Sequence, residues 1–164
     1  MWTAIERALV RLAASRAGAW VYVNIFTHID RMVVRASNGR LSTAVGTRFH
    51  RHVVVLTTIG VRTGQRRAVP LLAFFDGPAV ILIASRGGHP RHPSWYHNLC
   101  AQPLARVMVN GRPGQYRARE ADGAERIQLW RRAVEFYPGY ADYQERVTRR
   151  IPVMVLEPVG DAGP

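Results

Sequence analysis

The sequence predicts a mainly β protein with helices (an α+β fold), organised as a small antiparallel barrel with helical insertions. Three observations lead to this fold class. About six short stretches of β-branched or alternating apolar residues lie between residues 53 and 157, each bounded by turn residues. Helical patterns interrupt these stretches without the strand–helix alternation of a doubly wound sheet. The 164 residues, 48% of them hydrophobic, suffice for one domain with its own core.

Residues 1–38 differ from the rest and predict an amphipathic helical segment. Two interpretations stay open: a helix that packs on the domain core, or a segment that lies on an anionic membrane with its arginines at the headgroups. The charge-free stretch at residues 17–29 is too short to span a bilayer, and the start lacks the order of features in a cleaved signal. Residues 38–50 predict a linker, so the expected units are a segment at 1–38 and a barrel domain at 39–164.

The predicted strands follow one another from residue 53. Val53 to Thr58 is a β-branched run typical of a buried strand, and Asp76-Gly77 and Asn110-Gly111 are hairpin signals. The other strands are expected at residues 66–75, 79–85, 105–109, 115–120 and 152–157.

Three helices are expected between these strands. The first covers residues 95–101, after two prolines. Asp122 and Glu125 have capping-box spacing and open the second. A short third helix is expected at residues 141–149, after a Pro-Gly pair. The second helix carries an apolar stripe of Ile127, Trp130, Val134 and Tyr137.

The charge of the chain predicts an anionic partner. All of the 23 basic residues are arginines, and with 11 acidic residues they give a net charge of +12. Nucleic acid, an anionic membrane and a polyanionic small molecule all fit this charge, and composition does not choose among them. Cys100 stands alone, which excludes an internal disulfide and thiolate metal motifs and fits a reducing, cytoplasmic location.

Two segments rich in glycine and arginine follow predicted strands. Thr57 to Arg67 suits an anion nest, although a plain basic hairpin turn remains open. Ala84 to Leu99 begins with Ala-Ser-Arg-Gly-Gly and enters a helix near Pro93, where exposed amides favour an anion. Its three histidines fit no standard zinc spacing, so no metal site is expected. Trp95 is either a core anchor or a stacking surface for a ligand.

Tyr137, Tyr140 and Tyr143 form a third cluster, at spacing three. They either pack in the core or line a ligand pocket, where their hydroxyls can bond substrate or donate a proton. Nucleophile-elbow, paired-carboxylate and dinucleotide-binding motifs are absent. Anion-binding turns beside aromatics, with few acid–base groups, indicate that a bound cofactor carries the reaction.

In this order the three clusters resemble the deazaflavin-dependent nitroreductase family of actinobacteria. The family has a split β-barrel related to FMN-binding barrels, and its members pass a hydride from reduced coenzyme F420 to quinones or nitroaromatic compounds. The resemblance therefore implies F420, an 8-hydroxy-5-deazaflavin, with FMN less favoured. The matching pieces are Leu56-Thr57-Thr58-Ile59-Gly60, Arg62-Thr63-Gly64, Ala84-Ser85-Arg86-Gly87-Gly88, Pro93-x-Trp95-Tyr96-x-Asn98-Leu99 and Tyr137-Pro138-x-Tyr140-x-x-Tyr143-Gln144.

The resemblance also implies roles for individual residues. Apart from the resemblance, Ser85 and Tyr137 are our candidate catalytic groups, because a polar group near the acceptor stabilises developing negative charge. Leu72 stands where relatives that reduce nitroimidazole drugs have a tyrosine, so activity on nitroimidazoles is not expected from the resemblance. The acceptor side is expected to contain Leu72, Tyr137, Tyr140 and Tyr143. Coenzyme binding is expected from Arg62, Thr63, Gly64, Arg67, Pro70, Leu71, Ala84, Ser85, Arg86, Gly87, Gly88, Pro93, Trp95 and Asn98.

Two other functional classes stay open. A binding-only protein on the same barrel would carry a flavin, a deazaflavin or haem without catalysis. A nucleic-acid-binding barrel would depend on the charge alone, and no aromatic-basic stripe supports it. We expect an F420H2-dependent oxidoreductase with a small-molecule acceptor and no nucleic-acid partner. A homodimer and a peripheral position on the inner face of the cell membrane remain open.

Overall fold

The computed structural model describes residues 52–160. The predictions for residues 1–38 and for the boundary at residue 39 lie outside the described residues. A short turn, Arg86–Gly88, follows the third strand. In chain order the strands and α-helices are β1 (Val53–Ile59), β2 (Arg66–Asp76), β3 (Ala79–Ile83), α1 (Ser94–Ala101), β4 (Leu104–Val109), β5 (Arg112–Glu120), α2 (Gly123–Phe136), α3 (Gly139–Glu145) and β6 (Val153–Pro158).

The strands close into one antiparallel barrel in the order β1-β2-β3-β6-β5-β4, with β4 returning to pair with β1. This confirms the predicted α+β barrel with helical insertions. Asn110 and Gly111 have φ angles of 49° and 79°, so the predicted Asn-Gly hairpin has the left-handed backbone that such a two-residue turn requires.

Apolar side chains form two layers, one inside the barrel and one outside it. Because successive strand residues point to opposite faces, β3 serves both layers. Leu82 is fully buried inside the barrel, where Trp95 and Leu99 of α1 pack against the strands. Ile81 is 1% exposed and packs outside, in the layer that contains the residues of α2 and α3. Truncating either Leu82 or Ile81 to alanine costs about 2–5 kcal/mol.

Helix α2 departs from the sequence prediction in two ways. Asp122 is the N-cap residue but its side chain makes no capping hydrogen bond, so the predicted capping box is wrong. The Glu125 carboxylate instead accepts two hydrogen bonds from the Arg119 guanidinium, at 2.6 and 2.8 Å. Ile127 is 53% exposed, so its predicted place in the apolar stripe is also wrong. The fully buried positions of this helix are Leu129 and Ala133.

Strand direction gathers the long connections at one end of the barrel. In an all-antiparallel barrel of this order, β1, β3 and β5 run one way and β2, β4 and β6 run the other. The connections β1–β2 (60–65), β3–β4 (84–103) and β5–β6 (121–152) therefore share one end, which we call the loop end. The two tight hairpins, at Gly77-Pro78 and Asn110-Gly111, lie at the opposite end.

Candidate functional site

The β1–β2 turn presents the first predicted anion-binding cluster at the surface. The N–H of Gly60 donates to Gln65 O at 2.8 Å, and the N–H of Gly64 donates back to Gly60 O at 2.8 Å. Gly64 has a φ of 64°, which favours glycine, and no atom comes within 4 Å of a Cβ placed there. Arg62 and Thr63 are exposed, while the exposed Arg67 guanidinium donates to Gln65 Oε1 at 3.0 Å.

Asn98 of α1 fastens this turn to the second cluster. Its side chain is buried, its Oδ1 accepts from the Val61 N–H at 3.1 Å, and its Nδ2 donates to Thr58 Oγ1 at 2.9 Å. Pro93 is the buried N-cap residue of the same helix. Trp95, 7% exposed, packs inside the barrel and is therefore a core anchor. Of these three residues, Asn98 contacts the β1–β2 turn directly, and Pro93 and Trp95 are buried at the start of α1.

The turn after β3 has an unusual backbone. Ser85 is right-handed helical, and the next three residues are left-handed, with φ angles of 50° at Arg86, 63° at Gly87 and 75° at Gly88. A right-handed residue followed by a left-handed one turns successive N–H groups to the same side and forms an anion-binding nest. Between described residues, the N–H of Gly88 donates to Ser85 O and that of His89 to Arg86 O, and the amides of Arg86 and Gly87 have no acceptor among residues 52–160.

The tyrosine cluster lies directly beside this turn. A Cβ placed on Gly88 would come within 3.2 Å of Tyr143 Cα and O, so the two backbones are in close contact. Tyr140 and Tyr143 are buried, and Tyr137 is half-buried. The hydroxyls of Tyr137 and Tyr143 are 3.3 Å apart, and burial raises the pKa of Tyr143. The structure therefore brings the second and third clusters together.

Pro70 and Leu71 of β2 were both expected to bind the coenzyme, but their side chains point to opposite faces of the strand. Leu71 pairs with the fully buried Val54 and packs against the barrel interior, as does the fully buried Ala84. Pro70 and Leu72 alternate with Leu71 and so point out of the barrel. The outer row continues to Phe74, which shares a core cluster with the buried tyrosines. Leu72 and the tyrosines thus lie on the outer side of the barrel wall, and Leu71 and Ala84 on its inner side.

Several residues at the loop end were missed by the sequence analysis. The Arg149 guanidinium reaches the segment after β3, donating to Ser85 O at 2.9 Å and to His89 O at 3.0 Å. Arg146 lies over the Tyr143 ring at 5.5 Å, and its Nη1 is buried without a hydrogen-bond partner among the described residues. Burial and the neighbouring Arg149 lower the pKa of His92. Only the Arg-Arg pair at 149–150 was a visible signal, and nothing in it distinguishes a buried arginine from an exposed one.

The described residues hold no metal-type cluster of histidine, cysteine and carboxylate side chains. No helix within residues 52–160 is long and apolar enough to cross a membrane.

Comparisons with known proteins identify the family and the fold of the chain. A model of the F420H2-dependent quinone reductase family matches residues 28–158. An F420H2-dependent quinone reductase of Mycobacterium tuberculosis is 34% identical over 132 residues, covering 76% of this chain and 84% of the relative.

Solved structures give the same result. One described as an F420-H2-dependent reductase is 42% identical, with a TM-score of 0.61, over 65% of this chain and 95% of that structure. One described as a domain-swapped dimer is 36% identical, with a TM-score of 0.63, over 79% and 97%. A heme storage protein of Vibrio cholerae, 12% identical with a TM-score of 0.50 over 68% and 84%, shows the fold alone. The fold is a split β-barrel, and the chain belongs to the F420H2-dependent quinone reductase family.

Proposed function

We propose that this chain binds reduced F420 at the loop end of the barrel and catalyses hydride transfer to a quinone-class acceptor. Family membership gives the reaction class and the cofactor. We base the location of the F420 site on one observation: both glycine–arginine turns and the tyrosine cluster lie at the same end of the barrel. Asn98 fastens the first turn to α1, and Gly88 contacts Tyr143 in α3.

The residues present fit an anionic group. The right-handed Ser85 and left-handed Arg86 have the backbone of an anion nest, two of its amides lack an acceptor among residues 52–160, and Arg86 adds an exposed side chain. Arg146 has a buried Nη1 that lacks a partner among residues 52–160. A phosphate or carboxylate would satisfy these donors with charge-assisted hydrogen bonds. Arg62, Thr63 and Gly64 of the β1–β2 turn are proposed to hold a further anionic part of the same molecule, with Arg67 beside them.

The protein's share of the catalysis is positioning. Reduced F420, when bound, supplies the hydride. The outer-layer residues Pro70 and Leu72 and the tyrosines are proposed to hold the acceptor and keep water away, because hydride transfer requires near-contact geometry. The Tyr137 Oη and the Ser85 hydroxyl are proposed to donate hydrogen bonds to the acceptor oxygen as it gains negative charge.

A pair of titrations tests the binding proposal. The full chain is titrated with oxidised F420 and, in parallel, with FMN, and fluorescence reports binding. We expect F420 to bind and FMN not to bind at the same concentrations. Arg62→Met should weaken F420 binding, whereas Arg112→Met, which removes the same charge from the exposed start of β5 at the opposite end, should not. Preference for FMN, or equal losses in both variants, would contradict the proposal.

Turnover separates an enzyme from a binding-only barrel. F420H2 oxidation is followed with a soluble quinone and, in a second arm, with a nitroaromatic compound. We expect quinone reduction, and we expect Tyr137→Phe to lower kcat while F420 affinity is retained. Tight F420 binding with no acceptor turnover would instead favour the carrier function, since a fold does not fix a single function.

Two finer proposals concern assembly and location. Similarity to a domain-swapped dimer supports a homodimer for this chain, which sedimentation of the full chain tests directly. The amphipathic pattern of residues 1–38 supports a cytoplasmic enzyme whose N-terminal segment lies on the inner face of the membrane. Flotation with anionic vesicles, with and without residues 1–38, tests that location, and identical partitioning would contradict it.

A further inference from the structure

The Arg149 guanidinium gathers four acceptors from one short segment. Its Nη2 donates to Ser85 O at 2.9 Å and to Ala84 O at 3.3 Å, and its Nε donates to His89 O at 3.0 Å. Its Nη1 lies 3.0 Å from His92 Nδ1. Because a guanidinium has no acceptor, His92 Nδ1 must accept this hydrogen bond, which requires a neutral imidazole.

The segment that Arg149 holds needs such support. Three successive left-handed residues are rare, and Arg86, with a φ of 50°, has no glycine's freedom to adopt that conformation. Backbone strain of this kind persists only where the surrounding structure enforces it. The hydrogen bonds from Arg149 span the turn from Ala84 to His92, so the two ends of the left-handed stretch are fixed to one rigid planar group.

Arg149 is itself held by α3 through Gln144. The Gln144 Nε2 donates to Arg149 O at 2.9 Å, and its Oε1 accepts from the Ile151 N–H at 2.8 Å. This explains why α3 ends at Glu145 and does not continue to residue 149 as predicted, because residues 146–151 fold back around the Gln144 side chain. The same helix supplies Tyr143, which contacts Gly88. Both contacts with the turn therefore depend on α3, because Tyr143 lies in this helix and Arg149 is held by its Gln144.

We infer that Arg149 is a positioning residue that fixes the Ser85–Gly88 nest for the anionic part of F420, with neutral His92 as its matched acceptor. This inference rests on the proposed function. Burial lowers the pKa of Arg149, and repulsion by the positive charge of Arg86 lowers it further. An anion in the nest would neutralise this pair. Lysine would keep the charge but lacks the planar fork, so it cannot hold three carbonyls and an imidazole together.

Variants at Arg149 test the inference in the full chain. Arg149→Lys and Arg149→Met are compared with Arg150→Met, which removes the same charge from the exposed neighbouring residue. Two quantities are measured: the Kd for F420, and amide hydrogen exchange of residues 84–92 without any cofactor. We expect both Arg149 variants to raise the Kd by about tenfold or more and to accelerate exchange in this segment. Arg150→Met should stay within about twofold of the original protein on both readouts.

A second pair of variants, at His92, tests the inference even if the Arg149 variants do not fold. His92→Asn retains an acceptor oxygen for Arg149, whereas His92→Phe keeps a ring against Tyr96, 4.7 Å away in the original protein, but has no acceptor. We expect His92→Asn to preserve slow exchange and F420 affinity and His92→Phe to lose both.

Three results would overturn the inference. They are wild-type behaviour of Arg149→Lys, equal losses in Arg149→Met and Arg150→Met, and unchanged exchange in all Arg149 and His92 variants. Failure of the original protein to bind F420 would reject the proposed function instead, and the exchange data would still decide whether Arg149 fixes the turn.

Discussion

A comparison of Gly88→Ala with Gly77→Ala separates the packing of the Ser85–Gly88 turn from its backbone strain. Both glycines are left-handed, with φ angles of 75° and 56°. They differ in their surroundings, because a Cβ on Gly88 would come within 3.2 Å of Tyr143 Cα and O, and a Cβ on Gly77 meets nothing within 4 Å. They also lie at opposite ends of the barrel.

The magnitudes follow from these surroundings. A left-handed alanine costs about 1–2 kcal/mol, and the loss of glycine's freedom in the unfolded chain returns about 0.4–1 kcal/mol. Gly77→Ala should therefore lower the free energy of unfolding by about 1 kcal/mol. Gly88→Ala adds a contact with backbone atoms, which cannot move as a flexible side chain can, and such overpacking costs about 1–3 kcal/mol. Its total should be about 2–4 kcal/mol.

Unfolding in guanidinium chloride, followed by circular dichroism, measures both values, and F420 titration supplies the functional readout. Gly77→Ala should leave F420 affinity unchanged, and Gly88→Ala should weaken it, because the nest and α3 must move apart. Equal destabilisation by the two substitutions would refute the close contact with Tyr143. Unchanged F420 affinity in a folded Gly88→Ala protein would refute the placement of the anion at this turn.

Other predictions concern the buried Asn98 side chain and His92. Asn98→Ala should lower the free energy of unfolding by about 2–4 kcal/mol, since it breaks two hydrogen bonds of a buried amide, and guanidinium unfolding measures this. A double-mutant cycle with Thr58→Val should show coupling, and strict additivity would contradict the hydrogen bond. Burial, Arg149 and His97 lower the pKa of His92, so the unfolded chain binds this proton more readily than the folded one. Its contribution to stability should be lost as the pH falls below its ordinary pKa of 6.5, and His92→Asn should flatten that part of the stability–pH profile.

The barrel was predictable because its signals are local. A β-branched run at Val53, the hairpin signals at Asp76 and Asn110, and period-two alternation depend only on nearby residues. The boundaries of the predicted strands consequently agree closely with those of β1 to β6. Helix α2 shows where local signals fail: Glu125 has the spacing of a capping residue, but the Arg119 guanidinium on β5 offers two charge-assisted hydrogen bonds in place of the cap.

The site was predictable only in its parts. Composition and order marked the two glycine–arginine turns and the tyrosines, but their convergence depends on the direction of every strand in the barrel. The contacts of Arg149 could not be predicted either, because its partner His92 is 57 residues away in sequence. Strand alternation was available from the start, and it would have shown that Pro70 and Leu71 cannot offer their side chains to one face.

The two ends of this barrel differ in the length of their connections and in the number of features that suit a bound ligand. At one end, β2–β3 and β4–β5 are joined by two-residue turns, which satisfy the backbone locally and leave little to bind a ligand. At the loop end the connections are long, and three left-handed residues, two amides without an acceptor among residues 52–160 and a buried guanidinium nitrogen occur within one small region. Each of these features is unfavourable for folding and favourable for holding an anion. If the proposed anion binds at this end, it should stabilise the folded protein by mass action, and F420 should then raise the midpoint of unfolding.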